Sequence, residues 1–222
     1  MVDMAHEPSK IQKVLNIYGI VLIIWSIYRV KLSGLGIPEW FDEVIAKPFV
    51  FLLPTYIYIV HSELHSFISG IHLYSKSIRK DVLIGLGIGS TFFISALAAH
   101  IFKHGGVDVA QFKTYSFLTL ILVTLATAFT EEAFARGFIL SRMYADSKNV
   151  YSSAFNSSIL FLILHIPILF TVPDLRGNLL LIFLATDFVL SLVNSFVFLD
   201  RKNIIAPVLI HALYNIALLL YV

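Results

Sequence analysis

Seven apolar segments dominate this chain, at about residues 14–30, 44–60, 81–102, 115–142, 152–171, 179–199 and 203–221. Each is close to the roughly 20 residues that a helix needs to cross a hydrocarbon core ~30 Å thick. In lipid, every backbone N–H and C=O must be satisfied inside a helix or a closed barrel, and these runs are too long and uniform for barrel strands. The sequence therefore predicts an all-α fold, a polytopic transmembrane bundle of about seven helices. Charged residues make up only 14% of the 222 and hydrophobic ones 58%, where soluble domains carry roughly 25% charge. A soluble chain of this size could not hide that much apolar surface. No soluble domain or low-complexity linker interrupts the pattern, so residues 1–222 read as a single integral membrane domain.

Smaller signals narrow the functions. A net charge of +2 offers no basic surface for nucleic acid. Cysteine is absent, which excludes disulfides, thiolate metal sites, cysteine nucleophiles and lipid attachment through sulfur. The stretch Met1–Gln12 is polar and carries Asp3 and Glu7. No A-x-A-like cleavage site follows the first apolar run, so that run reads as a retained span. Pro48 and Pro54 are expected to kink or shorten the second helix. Gly85, Gly87 and Gly89 in the third favour close helix packing rather than a nucleotide loop, since no strand precedes them.

Lys and Arg outside the spans orient the chain. Lys10, Lys13, Lys76, Arg79, Lys80, Arg142, Lys148, Arg201 and Lys202 fall on the N-terminal side; Arg29, Lys31, Lys47, Lys103, Lys113 and Arg176 fall on the other. Nine against six puts the N-terminus in the cytoplasm. With that topology the site described next is expected to open toward the cytoplasm.

Within the fourth segment lie Glu131, Glu132 and Arg136. Carboxylates at membrane depth cost about 2.5–3.5 kcal/mol each on insertion scales, so their presence there calls for a use. Glu132 and Arg136 are spaced i, i+4 with the acid N-terminal, the favourable order for a structural ion pair. Glu131 projects ~100° away. With Ala135 at its i+4 position it has no intrahelical cation, which makes it the candidate base for proton transfer. His165 follows in the fifth segment, four residues after Phe161. His211 and Asn215 share a face of the seventh, where both can donate hydrogen bonds toward one point. At 1.5 Å per residue from the N-terminal side, Glu131 lies roughly 16 Å deep, His165 roughly 20 Å, His211 roughly 12 Å and Asn215 roughly 18 Å. Three helices thus bring these groups into one band.

Other polar groups read differently. His61-Ser62-Glu63-Leu64-His65 mimics a zinc-protease helix, but its Glu is at the third position and points away from the histidines. It and the His100, His104 pair are expected at the interface. Asp187 and Asn194 are expected to hydrogen-bond between helices.

Taken together, E-E-x-x-x-R (Glu131, Glu132, Arg136), F-x-x-x-H (Phe161, His165) and H-x-x-x-N (His211, Asn215) resemble the CPBP, or Abi, family of intramembrane proteases, which includes the CAAX prenyl endoproteases. The likeness covers about residues 115–221, the expected catalytic helices. Members of the family often have eight spans. The resemblance implies an intramembrane endopeptidase acting on a membrane-anchored or lipid-modified protein or peptide. Glu131 and His165 would activate water, His211 and Asn215 would stabilise the oxyanion, and Glu132, Arg136 and Phe161 would support them. No cofactor is expected. Zinc held by Glu131, His165 and His211 is the alternative, disfavoured because these three residues do not include the close His-x-x-x-His pair of most zinc proteases. A proton-coupled transporter or a non-catalytic scaffold are the other classes; no similarity between the halves supports the first.

Overall fold

The computed structural model describes residues 9–32, 35–106, 116–171 and 176–221; Asp3, Glu7 and Lys113 lie outside them. Among the described residues the fold is entirely helical. Its main helices are α1 (Lys10–Leu32), α2 (Asp42–His61), α3 (Ile78–His104), α4 (Phe117–Ser147), α5 (Val150–Ile163), α6 (Gly177–Arg201) and α7 (Ile205–Tyr221). All but α5 and α7 are long and apolar enough to cross a membrane. Helix α3 presents Leu83, Ile94 and Phe102 outward, with Phe102 95% exposed. Bare apolar side chains of that size belong against lipid, and the protein is an integral membrane protein.

Local chemistry sets the helix ends. The Ser116 side chain accepts from the Thr119 amide to open α4, and Asn149 does the same from Ser152 for α5. Gly105, at φ +76°, closes α3 in the left-handed region that lacks a penalty for glycine. The expected fifth span differs most. Instead of running to residue 171, α5 ends at Ile163, and a 3₁₀ turn covers Ile166–Phe170. Pro167 explains the break, because it lacks an N–H and pushes the preceding residue out of the α region. His165 therefore sits in a turn just past the helix. Neither Pro48 nor Pro54 ends α2, which runs unbroken for 20 residues.

Two π-helical stretches interrupt the ladders. In α2 the Lys47 amide bonds the Asp42 carbonyl, and in α4 the Ser141 amide bonds the Arg136 carbonyl, each five residues back. Such turns rotate the side chains that follow them and recur at functional sites. Here one directly precedes Lys47 and the other directly follows Glu132.

Close packing joins α3 to α7. A Cβ on Gly85 would meet the Leu209 Cβ at 2.8 Å, and one on Gly89 would meet Leu213 Cδ1 at 2.7 Å. Gly87 has nothing within 4 Å, so the packing motif is Gly85-x-x-x-Gly89 and Gly87 takes no part. At the Lys10 end, Arg142 pairs with Glu63 and donates to the Gly70 and Gly137 carbonyls. That fixes the histidine-rich loop to α4 and gives Glu63 a structural role. Gly137 lies so close to the Ile71 backbone that a Cβ would overlap its carbonyl.

Candidate active site

The adjacent acids of α4 face different surroundings. Glu132 is fully buried, and its Oε1 gathers three donors: Arg136 NH1 at 2.9 Å, Asn194 Nδ2 of α6 at 3.0 Å and His211 Nδ1 of α7 at 2.8 Å. Arg136 is likewise fully buried and donates from NH2 to the Ser191 carbonyl and hydroxyl. The Phe161 ring covers its guanidinium, 4.5 Å from centroid to Cζ. This cluster ties α4, α5, α6 and α7 together. Asn194, expected to bond between helices, does so.

Glu131 was expected to lack a cation, and within its own helix it does. The structure supplies one from 84 residues away: Lys47 Nζ lies 2.8 Å from Glu131 Oε1. Lys47 also pairs with Glu43, whose carboxylate accepts a hydrogen bond from Thr127 at 2.8 Å. Only 6% of Lys47 is exposed, so it belongs inside α2 rather than among the loop lysines where its sequence position put it.

The second oxygen of Glu131 points elsewhere. Oε2 is buried, accepts no hydrogen bond among the described residues, and stands 3.6 Å from His211 Nε2 and 3.9 Å from His165 Nε2. The far nitrogens of both rings are occupied. A carbonyl can only accept, so His165 Nδ1 carries a proton and donates to the Phe161 carbonyl at 3.0 Å. The same logic gives His211 Nδ1 a proton donated to the Glu132 carboxylate. Each Nε2 is thereby turned toward Glu131. Asp187 Oδ2, 3.4 Å from His165 Nδ1, adds a carboxylate behind the ring. Phe161 packs between the imidazoles, with centroids 4.8 Å from His165 and 5.8 Å from His211.

Asn215 stands apart. It is half-buried, one turn beyond His211 on the same helix, and its side chain makes no hydrogen bond among the described residues. The structure brings Glu131, His165 and His211 together and leaves Asn215 beside them on the His211 face.

A cavity of about 80 Å³ adjoins Glu131, lined by Trp25, Arg29, Glu43, Lys47, Phe51, Phe161, Leu164 and His165 as well. One water needs about 10–15 Å³ on this measure, so the space holds several. Its walls come from the last turns of α1, the first turns of α2 and the end of α5, which places it toward the Leu32 end of the bundle. The basic loops lie at the Lys10 end and the cavity toward the opposite one.

Among the described residues no three His, Asp or Glu side chains are placed to hold a metal ion. Lys47 and Glu43 are the residues that sequence reasoning missed. The signal was an i, i+4 acid–base pair at the mouth of an apolar span. A family model described as type II CAAX prenyl endopeptidase Rce1-like matches residues 113–217. No curated protein and no solved structure matches the chain.

Proposed function

Because residues 113–217 belong to the Rce1-like type II CAAX prenyl endopeptidase family, we propose that this protein is an intramembrane endopeptidase cutting a prenylated or otherwise membrane-anchored protein or peptide. The observation that carries the reading is the convergence of Glu131 Oε2 with two imidazole Nε2 atoms, within 3.9 Å, beside a cavity with room for several waters.

In this mechanism Glu131 Oε2 takes a proton from water as the water oxygen bonds to the scissile carbonyl carbon. His165 Nε2, its lone pair exposed by the Nδ1 bond to Phe161, accepts the second water hydrogen and aims the lone pair. The carbonyl π electrons move onto oxygen. His211, held at Nδ1 by Glu132, donates from Nε2 to that oxyanion, and the Asn215 amide donates beside it. Collapse reforms the carbonyl and breaks the C–N bond, and the proton held by Glu131 passes to the leaving amine. Lys47 grips Oε1, so that Oε2 is the oxygen free to act. Glu132, Arg136 and Phe161 position the histidines.

The reading includes no metal. The test is cleavage of quenched-fluorescent farnesylated peptides by purified protein in detergent, with and without a strong chelator. Cleavage indifferent to chelator is expected; loss on chelation with recovery on adding zinc would replace the mechanism with a metal-assisted one.

A further inference from the structure

Arg29 is the cavity cation whose donors are unused. It lines the same cavity as Glu131 and His165. Two contacts hold its guanidinium: the Trp25 ring, 5.6 Å from centroid to Cζ, and Asp42 Oδ2, 3.6 Å from NH1. The second is an ion pair too long for a hydrogen bond. Asp42 is itself engaged at Oδ1 by the Tyr28 hydroxyl. Among the described residues no hydrogen bond takes any Arg29 donor, whereas Arg136, Arg142 and Arg201 all donate to carboxylates. Lys47, over the same Trp25 ring at 5.4 Å, is committed to Glu43 and Glu131.

A planar fork of free N–H groups, fixed on an aromatic face and partly shielded from solvent, matches a carboxylate in two-point geometry. The cavity is small and already holds the Glu43 and Glu131 carboxylates, which disfavours a doubly charged phosphate. Every peptide whose scissile carbonyl reaches Glu131 has a carboxylate at its end, whatever its side chains, and that group suits the fork. We propose that Arg29 binds the C-terminal carboxylate of the substrate. This rests on the endopeptidase reading above.

The test pairs two farnesylated peptides that differ only in ending as a free acid or a carboxamide. Wild type is expected to favour the acid by about 30-fold in kcat/KM, chiefly through KM, the scale of a charge-assisted hydrogen-bonded contact. Arg29→Gln is expected to bring that ratio to about one, and Arg29→Lys, which keeps charge but loses the fork, to a few-fold. Binding of both peptides to the Glu131→Gln protein, with and without Arg29→Gln, reads the same preference without turnover. A wild-type ratio near one, or a ratio that survives Arg29→Gln, overturns the carboxylate site and leaves the protease standing. Acid-selective binding lost with Arg29→Gln, but no cleavage of either peptide by wild type, keeps the site and overturns the protease.

Discussion

Glu131 and Glu132 are neighbours in one helix, each with a cation within 2.9 Å, yet they belong to two different regions. Around Glu132 lies a sealed polar core in which three helices donate to one oxygen. Around Glu131 lies a cavity, with one oxygen held and the other turned to two imidazoles. An ion pair does not separate the acid proposed to work from the one proposed to be structural. What separates them in this proposal is whether the second oxygen meets packed protein or a space that water can enter.

That contrast can be broken experimentally. Glu132→Ala leaves the Arg136 guanidinium buried without its carboxylate, the most damaging way to disrupt a buried pair. A loss of about 3–5 kcal/mol is expected, read as a large fall in the detergent melting temperature; an unchanged melt would mean that this core is not structural. Lys47→Met removes the grip on Oε1 while the Glu132 core stays whole. The expected result is a fall in kcat of about 10–100-fold with little change in KM and partial recovery in Lys47→Arg, less than the roughly 10²–10⁴-fold that general acid–base catalysis contributes in full. An equal loss in both variants, accompanied by a lower melt, would make Lys47 a packing residue only. The smallest effect concerns the two ends of the bundle. Removing buried Lys47 from the earlier six basic residues leaves five on the Leu32 side against nine on the Lys10 side. Positive-inside bias then predicts that a single cysteine at Lys148 is labelled from the cytoplasm and one at Leu35 from the opposite side. The chain has no native cysteine to interfere. Reversed labelling would turn the Glu131 cavity toward the cytoplasm.

Much of the fold was legible because lipid leaves the backbone few choices, and seven apolar runs correspond to seven helices. The fifth was misjudged at its end. Its apolar run continues through Leu164–Phe170, and composition masked the stop that Pro167 imposes. In the site, the spacing of Glu132 and Arg136 gave away their local contact, since i, i+4 neighbours meet on any helix, whereas Phe161 entered through the family resemblance. Depth arithmetic brought Glu131, His165 and His211 to one level. Lys47 escaped because its partner is 84 residues distant and a π turn, which no residue pattern announced, precedes it. Arg29 escaped for a related reason: it reads as a loop cation until the Trp25 ring and Asp42 are seen beside it.

The most direct measurement compares wild type, Glu131→Gln and Glu132→Gln for both cleavage of the farnesylated peptide and thermal melting. The account predicts that Glu131→Gln loses about 10³-fold or more in kcat while melting near wild type, and that Glu132→Gln melts markedly lower. Cleavage by Glu131→Gln at a rate close to wild type would contradict it.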